Sequence, residues 1–297
     1  MKHIPVLLNE SINGLAIKDG DIFVDGTLGG GGHTLEVLNR FGNKITIICF
    51  DLDEDAIQRV KKVLKSTYSN VSFVNKGFQD LKVELKKMGI EEIDNILFDL
   101  GISSFQLEES GRGFSFQKNE PLLMTMKKEL TEKDITAYDI VNFWEEQTLA
   151  DIIYGFGEER FARKIAKAIV EFRKKTEIKT TFDLVQVIES AIGRYYRGKK
   201  IHPATKTFQA LRIATNSELS NLEKVIEDGF SCLKKGGKMA IISFHSLEDR
   251  IVKRAFVELE KKGLAKVISK KPILPKKEEI RINPRSRSAK LRLLEKI

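Results

Sequence analysis

Short apolar runs recur along the first hundred residues, at 22–24, 45–50, 71–75 and 96–100, and again at 239–244. Between the first four, apolar positions return at helical spacing. In 53–65, Ala56, Val60, Val63 and Leu64 share one face, and 81–88 follows the same rule. Strands alternating with helices at this spacing predict βαβ units and a parallel sheet covered on both faces, an α/β fold. After Leu100 the rhythm breaks, because the next strand-like run lies far beyond the reach of one crossover helix. The interval shows helical periodicity at 135–144, 158–172 and 182–192 and no strong strand. A small all-helical domain inserted at 111–202 accounts for it, between sheet-forming parts at 1–110 and 203–297. The chain is expected to return through a helical 208–233, a Lys235-Gly236-Gly237 turn and the 239–244 strand, and to end in a basic tail.

The handover from the first strand to its helix reads Asp25-Gly26-Thr27-Leu28-Gly29-Gly30-Gly31-Gly32-His33-Thr34. Glycines there let backbone N–H groups approach a ligand, and the helix N-terminus behind them favours negative charge. The run contains neither G-x-G-x-x-G nor G-x-x-x-x-G-K-[ST], which demotes dinucleotides and ATP. In open α/β sheets ligands bind at the carboxyl ends of strands. These ends carry Asp25 and the glycine loop, Asp51, Gly77-Phe78 and Asp99-Leu100-Gly101. Asp51, about two dozen residues past the start of the loop, is placed to accept both ribose hydroxyls. Phe78 is a candidate neighbour for an adenine ring, with core packing the alternative. Asp53 and Asp55 read as helix caps. A nucleoside with a short zwitterionic arm and no phosphates fits these parts, which points to S-adenosylmethionine and methyl transfer.

Charge adds a partner. The net charge is +9, with basic residues thickened at 160–175, 194–206 and 270–296, and a polyanion such as RNA suits that surface. Arg194-Tyr195-Tyr196-Arg197-Gly198-Lys199-Lys200 interleaves cations with aromatics, as phosphate contact plus base stacking requires. The two cysteines, Cys49 and Cys232, lie in apolar or helical context as buried core thiols. The four histidines lack ligand spacing, so no metal is expected. No long apolar run or secretory signal is visible, which predicts a cytoplasmic protein without a membrane role. Oligomeric state, monomer or homodimer, is open at this level.

Several motifs in one order then resemble the bacterial 16S ribosomal RNA (cytosine-N4)-methyltransferases, the RsmH or MraW family. They are His3-Ile4-Pro5-Val6-Leu7-Leu8, Asp25-Gly26-Thr27, Gly31-Gly32-His33, Asp99-Leu100-Gly101-Ile102-Ser103-Ser104, Arg112-Gly113-Phe114-Ser115-Phe116 and Gly157-Glu158-Glu159-Arg160. His202-Pro203-Ala204-Thr205, Thr207-Phe208-Gln209-Ala210-Leu211-Arg212, Ser243-Phe244-His245-Ser246-Leu247-Glu248-Asp249-Arg250 and Asn283-Pro284-Arg285 continue the series. The resemblance implies a Rossmann-like class I S-adenosylmethionine-dependent methyltransferase with an inserted helical domain for RNA recognition. It implies a cofactor site lined by Gly31, Gly32, His33, Asp51, Phe78, Asp99 and Gln106. The implied substrate is a cytidine of the decoding centre in the small ribosomal subunit, methylated on its exocyclic amine. The chain departs from the family pattern at Phe105, where proline is usual, and in Leu123, Thr125 and Lys127, where three charged side chains are usual.

An exocyclic amine is a weak nucleophile that must be aligned with the methyl group and relieved of charge. Asp99 is the candidate catalytic carboxylate, either as base or as the acceptor for the cofactor's amino group. No cysteine occupies a nucleophile turn, so direct transfer is expected. Phe244 and His245 are candidates for facing the base, and Ser246 for capping the helix that follows. Two other functions fit the cofactor fold: a DNA amino-methyltransferase, which is expected to carry an N-P-P-Y-like turn where this chain has Asp99-Leu100-Gly101-Ile102, and a non-catalytic assembly factor.

Overall fold

The computed structural model describes residues 4–64 and 68–297; His3 and the end of the predicted 53–65 helix lie outside the described residues. The chain divides into two compact units, Met1–Gly101 with Leu219–Ile297, and Ile102–Glu218.

In the first unit the chain runs α1 (Leu8–Leu15), β1 (Ile22–Asp25), α2 (Gly32–Phe41), β2 (Thr46–Phe50), α3 (Glu54–Leu64), β3 (Val71–Val74), α4 (Leu81–Lys87) and β4 (Ile93–Asp99). The second unit holds α5 (Ser104–Glu108), α6 (Ala137–Phe143), α7 (Glu146–Gly155), α8 (Ala162–Arg173), α9 (Thr181–Ile192) and α10 (Thr205–Asn216). The chain then continues through α11 (Glu218–Cys232), β5 (Leu233–Ser243), α12 (Ser246–Lys261), β6 (Ala265–Val267), α13 (Lys277–Ile282) and β7 (Lys290–Lys296).

The sheet has seven strands in the order β3-β2-β1-β4-β5-β7-β6. The first five are parallel, and β7 is antiparallel to both β5 and β6. This is the doubly wound order, which reverses direction beside β1 and opens a crevice at the carboxyl ends of β1 and β4. Successive residues of each strand serve opposite faces. Phe23, Ile47, Cys49, Leu97 and Ala240 pack with Leu38 of α2 and Val60 of α3. Val24, Ile48, Phe50, Ile96 and Ile241 pack with Leu81 and Leu85 of α4, Val225 of α11 and Phe256 of α12. Both faces are thus apolar, which is why these strands read as continuous apolar runs.

Four expectations need correction. The expected Lys235-Gly236-Gly237 turn lies inside β5, as a bulge where the pairing with β4 shifts register. The basic tail contributes a strand: Leu291 and Leu293 of β7 enter one core face and Leu294 the other. The strand was hidden because Arg292, only 6% exposed, interrupts the apolar pattern, and its Nε donates to Asp249 of α12 at 2.7 Å. The helical 208–233 is two helices, broken at Ser217, whose φ of 50° is left-handed. The helical unit is also wider than 111–202. Its core of Ile140, Ile153, Ile165 and Ile188 takes in Phe208 and Leu211 of α10, so α10 belongs to it. Among the described residues no helix is long and apolar enough to cross a membrane.

Candidate functional site

The glycine loop is pinned from beneath by Asp25, which is 1% exposed. One carboxylate oxygen accepts the Thr34 hydroxyl of α2 at 2.7 Å and the other the Thr27 N–H at 3.2 Å. The acid at the end of β1 therefore ties the loop to the helix behind it. Gly31 caps α2 at φ 74°, and a Cβ there would lie 2.7 Å from Val60. A Cβ on Gly32 would lie 2.2 Å from Pro5. Both positions exclude side chains because the chain's own atoms fill the space. Pro5 and Val6 thus give the N-terminal motif a physical role, since His33 Nε2 also sits 3.2 Å from the Val6 carbonyl oxygen. That carbonyl can only accept, so His33 donates from Nε2 and turns Nδ1 toward Asp99 Oδ2, 3.8 Å away.

Asp51 closes the loop from the other side. Its Oδ2 accepts the Gly29 N–H at 2.7 Å and its Oδ1 the Asp53 N–H at 2.8 Å. Each oxygen keeps a second lone pair, enough for two hydroxyl donors. Burial pushes this carboxyl up to about 6, although both backbone donors oppose the shift. Asp25 is likewise raised to about 6 by burial. Asp53 accepts the Asp55 N–H at 3.1 Å at the start of α3, the capping role expected of it.

Asp99, at the end of β4, has the least support. Thr27 Oγ1 accepts its backbone N–H at 2.6 Å, which fixes the residue, but its buried Oδ1 has no hydrogen-bond partner among the described residues. Burial holds its carboxyl well above the usual range, and the neighbouring Asp25 and Glu248 carboxylates add to the effect. An unpaired buried acceptor is expensive, so this oxygen is an open place for a donor. Phe78 begins a 3-10 turn at the end of β3 and meets Phe98 edge to face at 5.9 Å, so its ring is partly committed to the core.

At the end of β5 the Phe244 ring passes 3.3 Å from where a Gly101 Cβ would stand, beside β4. The helix cap differs from expectation: His245, not Ser246, caps α12. Its Nδ1 accepts the Glu248 N–H at 3.3 Å, and Glu248 accepts the Phe244 and His245 N–H groups at 2.8 and 3.2 Å. A histidine ring nitrogen serves as the cap acceptor here, a use that residue preference alone does not flag. Thr27 and Glu248 stand inside quoted motifs, but the sequence assigns neither a role. Both act by holding a strand end through its backbone, a role that residue type alone does not signal.

Gln106 lies in the helical unit. It completes the capping box of α5, with its Oε1 accepting the Ser103 N–H at 2.9 Å. In the departing stretch, Leu122 and Met124 are fully buried and Thr125 nearly so. Lys127 pairs with Asp134 and holds that carboxyl at about 2. In the basic run, Tyr196 is buried while Tyr195 is half-buried, so the two tyrosines play different parts.

The donors of S-adenosylmethionine match this set of acceptors. Its amino group needs an acceptor such as Asp99 Oδ1, and its two ribose hydroxyls need a carboxylate such as Asp51. No phosphate has to be accommodated, in keeping with a rim dominated by acids.

The family model described as the MraW methylase family matches residues 1–297. The chain is 47% identical to ribosomal RNA small subunit methyltransferase H of Clostridium botulinum strain Kyoto, over 100% of this chain and 99% of that protein. It is 46% identical to the protein of that name from Clostridioides difficile strain 630, over 99% of each. A solved putative rRNA methylase from Clostridium thermocellum aligns at a TM-score of 0.48 and 13% identity, over 99% of this chain and 97% of that one. The whole-length match, on a doubly wound sheet with a glycine loop and acidic strand ends, makes this chain a member of the MraW methylase family, an S-adenosylmethionine-dependent methyltransferase.

Proposed function

We propose that the protein methylates the N4 amine of a cytidine in the decoding centre of 16S ribosomal RNA, within the small subunit and in the cytoplasm. The observation that carries this reading is the 46–47% identity, end to end, to proteins named ribosomal RNA small subunit methyltransferase H. When bound, S-adenosylmethionine supplies an electrophilic methyl group on a sulfonium. Asp99 accepts the amino group of its methionine part through Oδ1, and Asp51 accepts the ribose hydroxyls. Gly31 and Gly32 would bring backbone to the ligand, His33 would orient Asp99, and Phe78 would flank the adenine.

Alignment is the main contribution, since holding the amine in line replaces a bimolecular encounter. Asp99 also offers the second role weighed for it, because burial raises its carboxyl, the direction that makes a carboxylate a better proton acceptor. The two roles separate kinetically: loss of an amino-group acceptor raises the KM for cofactor, whereas loss of a base lowers kcat. Transfer is direct. Cys49 and Cys232 are both buried, and burial pushes both thiols up, the opposite of an activated nucleophile.

The test is incubation of the purified protein with labelled S-adenosylmethionine and either unmethylated small subunits, naked 16S RNA or DNA, followed by nucleoside analysis. Label in N4-methylcytidine of subunit RNA is expected. Transfer to DNA alone, to another nucleoside, or to nothing overturns the reading.

A further inference from the structure

The helical unit carries a cluster outside the acidic strand ends. Phe161 and Tyr195 stack with centroids 4.5 Å apart and planes 26° from parallel. The Arg160 guanidinium lies 4.5 Å from the Phe161 centroid, while Lys164 Nζ and the Arg194 guanidinium lie 4.7 and 4.8 Å from that of Tyr195. Lys164 and Arg194 also donate to the Tyr195 hydroxyl at 2.8 and 2.7 Å. All three cations are exposed, and none makes an ion pair among the described residues. Rings and a phenol oxygen hold them in place of carboxylates. A carboxylate neutralises the cation it orients; a ring orients it and leaves the charge in place.

The cluster is anchored from below. Glu159 is fully buried, and one of its oxygens accepts the Phe161 N–H at 2.9 Å while the other accepts the Tyr196 hydroxyl. A single carboxylate thereby ties the start of α8 to the 3-10 turn Gly193–Tyr196, the two segments that bear the stack. Burial and Glu159 together hold the Tyr196 phenol above its ordinary range, so the proton stays on that bond.

We propose that Arg160, Lys164 and Arg194, arrayed on the Phe161–Tyr195 stack and positioned by Glu159, form a docking surface for the phosphate backbone of the RNA substrate. The inference rests on the reading that the substrate is RNA. It selects phosphates over bases because each ring already bears its partner ring and at least one cation. Arginine's planar fork suits phosphate oxygens, and cations without carboxylate partners release counterions when they meet one. Binding through this surface is therefore salt-dependent and indifferent to sequence.

The experiment measures binding of full-length protein to unmethylated small subunits across a salt series, for the parent, the Arg160→Ala/Arg194→Ala pair and the Arg160→Lys/Arg194→Lys pair. The alanine pair is expected to bind at least about tenfold more weakly near 0.1 M salt and to lower the slope of log affinity against log salt by about 1.4 to 1.8. The lysine pair is expected to keep the slope, and both pairs to keep the parent's affinity for S-adenosylmethionine. A parental affinity and slope in the alanine pair overturn the inference, as does a loss confined to anionic phospholipid vesicles. A parent that methylates subunit RNA alongside an unaffected alanine pair overturns the surface alone. A parent that neither binds nor methylates RNA overturns the substrate reading beneath it.

Discussion

At the carboxyl ends of the sheet, Asp25 is buried and Asp51 and Asp99 are partly so; loss of hydration raises all three carboxyls, and one Asp99 oxygen has no hydrogen-bond partner among the described residues. In the helical unit, Arg160, Lys164 and Arg194 are exposed cations resting on aromatic rings. Burial makes a charge selective: the acids demand particular donors at particular places, the property of a site for one small molecule. Exposure on a ring keeps a charge available but imprecise, the property of a surface for a polyanion. On the proposed readings the two regions divide recognition of cofactor from recognition of substrate, and each is expected to respond to perturbations that leave the other untouched.

The largest expected effect is at Asp99. Asp99→Asn is expected to reduce methyl transfer by about 10²-fold or more, since both of its roles depend on the charged acceptor. Steady-state kinetics that show the loss mainly in the KM for S-adenosylmethionine support the amino-group role. A loss confined to kcat assigns the base. Next is Asp51→Ala, expected to weaken cofactor affinity about 10- to 100-fold by removing hydrogen bonds to a charged acceptor, about 1.5–3 kcal/mol. Calorimetry checks the affinity and circular dichroism the intact fold; unchanged affinity removes the ribose role.

The acids also predict a pH dependence whose sign can be worked out. Asp25 and Asp51 rise from 3.8 to about 6 in the fold, so burial favours their protonated forms. In the ligand-free protein their contribution to stability is fully present below about 3.8 and is lost as pH rises through about 6. Ribose hydroxyls favour the ionised form of Asp51, so cofactor affinity moves the other way. It is expected to tighten with rising pH by up to about tenfold per unit below about 6, then level off. An Asp51→Asn variant that keeps the same pH profile contradicts this assignment. The smallest effect is salt: raising it from about 50 to 200 mM is expected to weaken RNA binding strongly while changing S-adenosylmethionine affinity by less than about twofold. Equal sensitivity of both ligands would erase the contrast between the regions.

The parallel strands were legible because both of their faces are buried, which writes each of them as an apolar run. The acids at their ends and the glycine loop were legible because function at a strand end needs particular side chains in a short interval of sequence. Asp53 as a cap was equally local. The failures had a different origin. Lys290–Lys296 reads as charged tail, yet it is a strand inside the sheet, because Asp249 supplies the partner that lets Arg292 be buried. Phe208 reads as part of one long returning helix, yet the core of the helical unit claims it.

By itself the sequence determined the α/β class, the loop, the acids Asp51 and Asp99 at the strand ends, and the family whose motifs run in order along the chain. Tertiary structure alone decided that one oxygen of Asp99 has no donor among the described residues, that Tyr196 is buried on Glu159 while Tyr195 stays half-exposed, and that Arg160 and Phe161 join Tyr195 from a distant segment. The physical reason is range. Periodicity, caps and turns follow from neighbours along the chain, whereas burial, and with it the value of a charge, depends on what the fold brings from far away.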